Sequence, residues 1–86
     1  MEIDGLYLTR TCDACPEQYD VLDESHNVVG YLRLRHGLFR VDYPHCGGET
    51  IYTAYPKGDG SFEDDERDSY LTIAIQAIKE KLSEDS

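Results

Sequence analysis

Hydrophobic and polar positions alternate through most of the first 55 residues, and the period changes near residue 61. A period of two marks half-buried strands, and apolar residues at i, i+3 and i+4 mark an amphipathic helix. The alternation predicts strands over 6–9, 17–23, 28–35, 38–43 and 50–55, with turns at 24–27, His36-Gly37 and 57–60. The middle hairpin can be registered by arithmetic. A two-residue loop at His36-Gly37 sets Leu34 opposite Phe39, Leu32 opposite Val41 and Gly30 opposite Tyr43, which makes one apolar face. The other face then holds Arg35 opposite Leu38, Arg33 opposite Arg40 and Tyr31 opposite Asp42. A slip of one residue would put Leu32 and Leu34 in water, so the pattern selects this register. Pairing Asp23 with Val28 sets Asp20 opposite Tyr31 and Gln18 opposite Arg33, and adds Tyr19 and Val21 to the apolar face.

The remainder predicts a helix over about 62–82. Ser61 with Asp64 three residues on resembles a capping box. Leu71, Ala74, Ile75, Ile78 and Leu82 form its apolar stripe, widened by Tyr70, Ile73 and Ala77. The expected architecture is α+β: an antiparallel sheet of four or five strands with one C-terminal helix packed on one face, in a single domain over 1–86.

Charge narrows the functions this scaffold can serve. Eighteen acidic residues stand against eight Lys and Arg, a formal charge of −10 on 86 residues. That balance argues against direct nucleic-acid binding or an anionic membrane surface as partner, because attraction to phosphate is the main source of such affinity. It favours a protein partner with a basic surface. No apolar run approaches the ~20 residues of a membrane span. The acidic start Met1-Glu2-Ile3-Asp4 is unlike a secretory leader, so the expected setting is cytoplasmic. Three cysteines, an odd number, fit a reducing compartment better than a disulfide framework. Seven Tyr against two Phe and no Trp suit half-buried sheet faces and interfaces. Exposed sheet edges leave monomer and homodimer both open.

Four residue sets carry candidate chemistry. Cys12 and Cys15 form a CxxC, and with Cys46 and His45 they would complete a tetrahedral zinc set. The adjacency of His45 and Cys46 is poor ligand spacing. Redox use of the CxxC lacks a helix start to lower a thiol pKa. The run from Asp59 to Glu66 matches the back half of a calcium loop. Its front half fails at Tyr55 and Lys57, so a glycine turn leading into an acid-rich helix start is the better reading. The acids Asp59, Glu63, Asp64, Asp65, Glu66 and Asp68 form a candidate surface for a basic partner. The alternative face holds Tyr31, Arg33, Arg35 and Arg40, residue types that dominate interface hot spots. Its bland reading is diagonal pairing of Arg33 with Asp20 and Asp42. No phosphate loop, nucleophile elbow or complete metal set is present, which argues against an enzyme.

Three stretches carry a resemblance: Arg10 to Tyr19 around Cys12-Asp13-Ala14-Cys15-Pro16, then Gly30 to Gly37, then Ala54 to Gly60 with Phe62 to Arg67. Together they resemble uncharacterised short acidic proteins of phages and integrated mobile elements of Gram-positive bacteria. The resemblance spans most of the chain and implies an accessory protein, a setting in which small acidic inhibitors of host defence complexes are common. It implies a non-enzymatic binding protein, with inhibition of a complex such as a CRISPR effector by nucleic-acid mimicry as the leading expectation. The competing expectation is a small zinc-stabilised structural or adaptor module. Fold-level analogy brings no residue roles with it.

Overall fold

The computed structural model describes residues 1–11 and 16–85. Six strands precede one helix: β1 (Glu2–Ile3), β2 (Leu6–Arg10), β3 (Glu17–Leu22), β4 (Val28–Arg35), β5 (Leu38–Tyr43), β6 (Glu49–Ala54) and α1 (Arg67–Glu84). The strands form one antiparallel sheet in the order of the chain, β1 to β6. The helix packs on one face, as the apolar pattern predicts. There are six strands where four or five were expected. The additional one, β1, pairs Ile3 with Leu6 across an Asp4-Gly5 turn with φ of 52° and 90°. Asp-Gly is a preferred two-residue hairpin turn because both positions tolerate positive φ.

The register around the middle hairpin is as expected: Leu34 faces Phe39, Leu32 faces Val41, Arg33 faces Arg40 and Tyr31 faces Asp42. His36 and Gly37 both adopt positive φ, which closes the two-residue loop. Between β3 and β4, Asp20 faces Tyr31 and Gln18 faces Arg33, also as expected. An irregularity at Val21/Leu22 sets Leu22, not Asp23, opposite Val28. Asp23 instead organises the turn, its Oδ1 accepting the N–H groups of Ser25 and Asn27. A second irregularity lies at Val41/Asp42, where β5 meets β6.

The inner face of the sheet and the helix stripe make the core. Val21, Leu32, Leu34, Phe39 and Val41 are fully buried against Leu71, Ala74, Ile75 and Ile78. Each large side chain buried this way contributes about 1.5–3 kcal/mol. Gly30 lets the helix approach, since a Cβ there would overlap the Ile78 Cδ1 methyl. Phe62 extends the core beyond the helix. Its ring lies 5.0 Å edge-on from Phe39 and stacks on Tyr70 at 5.6 Å.

The helix begins at Arg67 rather than near residue 62, and Glu66 is its N-cap. The Ser61–Asp64 capping box is therefore not the helix start. A turn over 63–66 comes first, with Glu66 N–H and Arg67 N–H both donating to Glu63 C=O. Only Asp68 of the acid run lies in the first helical turn. Among the described residues, no helix is long and apolar enough to cross a membrane.

Candidate functional site

The segment between β6 and α1 is fastened to the sheet by two carboxylates that face inward. Glu66, 7% exposed, accepts backbone N–H groups from Lys57 at 2.8 Å, Gly58 at 2.9 Å and Glu63 at 2.8 Å. It thereby folds the loop around its own side chain. Burial pushes its pKa up, but the three N–H donors and Lys57 outweigh that and hold it below the ordinary value. Gly58 is required here, because a Cβ would overlap the Ser61 carbonyl oxygen.

Glu17 is the second anchor, at 1% exposure. Its carboxylate accepts from Arg67 Nε at 2.8 Å and Nη2 at 3.2 Å, from Phe62 N–H at 2.9 Å, and from the Tyr19 hydroxyl. A buried carboxylate is tolerable only when paired and fully hydrogen-bonded, and this one is. Burial raises its pKa, yet Arg67, Tyr19 and the Phe62 amide together hold it below the ordinary range. Tyr19 is pushed up to about 12 by burial and the neighbouring carboxylate. The Glu17 amide also donates to Gly60 C=O, and the Gly37 amide donates to Asp59 C=O. The loop is thus sewn to the β3 start and to the β4–β5 turn.

These contacts sort the acidic candidates. Glu66 faces inward and cannot be offered to a partner. Asp64 pairs with Arg67 at 2.9 Å, and Asp65 with Lys57 at 2.8 Å, while both carboxylates remain exposed. Among the described residues no cation pairs with Asp59, Glu63 or Asp68. The acidic surface therefore consists of five carboxylates, four on a braced loop and Asp68 in the first helical turn, two of them partly neutralised.

The arginines lie on the opposite, outer face of the sheet, which no helix covers among the described residues. Arg33 and Arg35 have no ion-pair partner among the described residues. Asp42 serves Arg40 instead of Arg33: Arg40 Nε lies 3.2 Å from Asp42 Oδ1, although it is not aligned as a hydrogen bond. Asp42 is buried, and Thr50 Oγ1 at 2.9 Å and Gly47 N–H at 3.3 Å donate to it. Tyr31 differs from expectation. It is 7% exposed, and its hydroxyl donates to Gln18 Oε1 at 3.0 Å. Burial, with Cys46 nearby, raises its pKa. Tyr31 is therefore part of the floor of this face and not a displayed contact.

The two candidate surfaces meet. One recess of about 340 Å³ is lined by Pro16, Arg35, His36, Asp59 and Gly60. A second, of about 350 Å³, is lined by Arg33, Arg35, His36, Leu38 and Arg40. Arg35 and His36 belong to both, so the recesses adjoin across a shared wall and make a divided trough, one part beside the acidic loop and the other on the outer sheet face. Sequence reasoning missed Pro16, His36, Leu38 and Gly60 as lining residues. The register already placed Leu38 on the arginine face, and that was the available signal. His36 was read only as a turn residue.

Of the residues expected to hold zinc, His45 and Cys46 are described. Cys12 and Cys15 lie outside the described residues. Thr11 and Pro16, which bracket them, sit at the end of the sheet that holds the His36-Gly37 turn. His45 and Cys46 leave from the other end of β5, about 20 Å away at ~3.3 Å per residue. Among the described residues, no three His, Cys, Asp or Glu side chains are placed to hold a metal ion.

Fold and site together define a small two-layer α+β domain with one uncovered sheet face and a mixed-charge trough. No family model, curated protein or solved structure matches the chain.

Proposed function

We propose that this is a non-enzymatic binding protein, of the accessory kind the phage resemblance implies, whose partner protein docks in the outer trough. The observation that carries this reading is the placement of Arg33 and Arg35. Both lack ion-pair partners among the described residues, and both line a concave surface in a chain of charge −10. Isolated cations in an acidic protein would ordinarily be neutralised by local pairing. Arg40 is so treated and these two are not. Arginine beside a half-buried apolar residue such as Leu38 is the composition of an interface centre. The partner surface that fits carries carboxylates around an apolar contact.

A second reading is favoured by the bracing of the acidic loop. Glu63, Asp64, Asp65 and Asp68 are exposed on a segment held by Glu17 and Glu66, so the backbone that carries their charges is fixed. A basic channel that normally receives nucleic acid, such as that of a host defence nuclease, suits such a surface. Fixed charges lose less entropy on binding than mobile ones.

One comparison separates the two. Partner capture from a Gram-positive lysate is measured for wild type, Arg33→Ala/Arg35→Ala and Glu63→Gln/Asp68→Asn, at low and high salt. The trough reading expects capture lost in the arginine variant and kept in the acid variant. The reverse result, with capture falling steeply with salt, overturns it and assigns function to the loop.

A further inference from the structure

The two edges of the sheet are protected differently. β1 has only two residues, too few to template another strand. β6 has six, and the five after Glu49 (Thr50, Ile51, Tyr52, Thr53 and Ala54) contain no charge and no proline. An edge strand of this length without such protection is a ready partner for another strand.

The irregularity beside β6 gives that strand an unusual face pattern. Thr50 pairs with Asp42 and Thr53 with Arg40, so both lie on the outer face. Ile51, Tyr52 and Ala54 pack toward the helix side, and Glu49 is on that side too, within 3.6 Å of Lys81 on the helix. From Glu49 to Ala54 the sequence of faces is in, out, in, in, out, in. Without the irregularity it would simply alternate. The observed pattern reads the same in both directions about the midpoint between Ile51 and Tyr52.

Antiparallel pairing of two copies reverses one strand against the other, and opposed residues must share a face. For a two-fold axis at that midpoint every pair satisfies this: Glu49 with Ala54, Thr50 with Thr53, Ile51 with Tyr52. Moving the axis by half a residue or by one residue in either direction sets an inward position against an outward one. We infer that the protein forms a two-fold homodimer in which β6 pairs antiparallel with β6 of a second copy, Thr50 lying opposite the partner's Thr53.

The pairs in that register are compatible. Thr–Thr and aromatic–β-branched pairs stabilise antiparallel ladders, and no like charges stand opposite each other. Just past the strand, Tyr55, 81% exposed, comes opposite the partner's Gly48, where no side chain obstructs it. The Lys81–Glu49 contact shows which flank of α1 overlies the edge. Ala77 is one turn before Lys81 on that flank, and Ile73, 42% exposed, is one turn before Ala77. In the dimer the two flanks approach each other over a continuous twelve-stranded sheet. Such an assembly leaves the outer trough open, so it stands or falls separately from the docking reading.

Charge gives the inference a distinctive signature. Two copies of charge −10 repel at long range, while the strand contact is uncharged between Thr50 and Ala54. Salt screens the repulsion and leaves the contact, so the dimer tightens as salt rises. Sedimentation equilibrium of the full chain at low and high salt tests this. The expected result is a mass of twice 9.8 kDa, with more dimer at high salt. Thr50→Lys/Thr53→Lys places ammonium groups opposite each other in this register and should return the mass to that of a single chain. Amide exchange of residues 49–54 in the wild type should slow as protein concentration rises. A single-chain mass at high salt overturns the inference. So does a dimer that persists in the lysine variant, or concentration-dependent protection that falls elsewhere than β6.

Discussion

Glu17 and Arg67 show how one ion pair can hold two distant parts of a chain. They are 50 residues apart, and their contact joins the first turn of the helix to β3. Truncating Arg67 would leave a carboxylate buried with neither charge partner nor escape to water. Arg67→Ala should therefore cost about 3–5 kcal/mol, measurable as a lowered midpoint in urea unfolding. Glu17→Gln should cost less, since the amide keeps a carbonyl for the Phe62 N–H. These roles were invisible in the sequence. Glu17 reads as one acid among eighteen at an alternating position, and Arg67 as part of a solvated run. Alternation assigns a side chain to a face, but it does not tell which charged residue will be sealed in. The middle hairpin was legible because Leu32, Leu34, Phe39 and Val41 all fall on one face in a single register, and a slip would expose them. The arginine face followed from the same arithmetic. Tyr31 was misjudged because nothing local announces that Gln18 reaches its hydroxyl or that burial covers its ring.

At the level of elements, the connection from β6 to α1 is irregular and yet closely tied. A glycine-rich acid loop reads from sequence as a solvated turn and a capped helix start. Its organisation depends on Glu66 reaching back to three amides, a contact pattern that has no fixed spacing signature. Gly58 is central to it. Gly58→Ala should force the backbone away from the Ser61 carbonyl and detach the loop from Glu66. The expected loss is about 2 kcal/mol or more, beyond the ordinary range for a surface substitution, with faster amide exchange confined to the loop. Unchanged melting would show that the loop is not tied in this way. β1 was missed for a different reason. Its Asp4-Gly5 turn is a recognised hairpin signal, but the strand itself has only two residues, and alternation cannot be read over so short a run.

For the whole molecule the controlling quantity is the titration of the carboxylates. Asp4, Glu17, Asp23, Asp65 and Glu66 are all held below their ordinary pKa values, by partners named above or, for Asp4, by Lys79 and Gln76. A group with a lowered folded pKa binds protons more readily when unfolded. Its stabilisation is complete above the unfolded value, 4.5 for a glutamate, and is lost as pH falls through the folded value below it. Acid also relieves the repulsion of the −10 charge, which works in the opposite direction. The five held groups protonate last, so their loss prevails at the acid end. Thermal midpoints should change little from about pH 7 to about pH 5 and fall below about pH 4. Glu17→Gln should flatten that fall. A midpoint that rises continuously to pH 3 would show that repulsion outweighs the network.

The order of the strands also governs how the chain assembles in time. Every strand pairs with its neighbour in sequence, so each ladder closes only a short loop and the sheet can grow in step with synthesis. The helix is made after all six strands, and its ties run back across 50 residues to Glu17 and 75 to Asp4. Until it docks, the inner face bearing Leu32, Leu34, Phe39 and Val41 has nothing over it. The complete sheet is thus an exposed apolar surface until the helix emerges and docks, an interval in which hydrophobic self-association is the competing fate. The acids made ahead of the helix, from Asp59 to Glu66, reach the growing chain just before that stage and add repulsion between neighbouring nascent chains. In this sense the negative charge of the loop protects the folding chain as well as shaping the folded one.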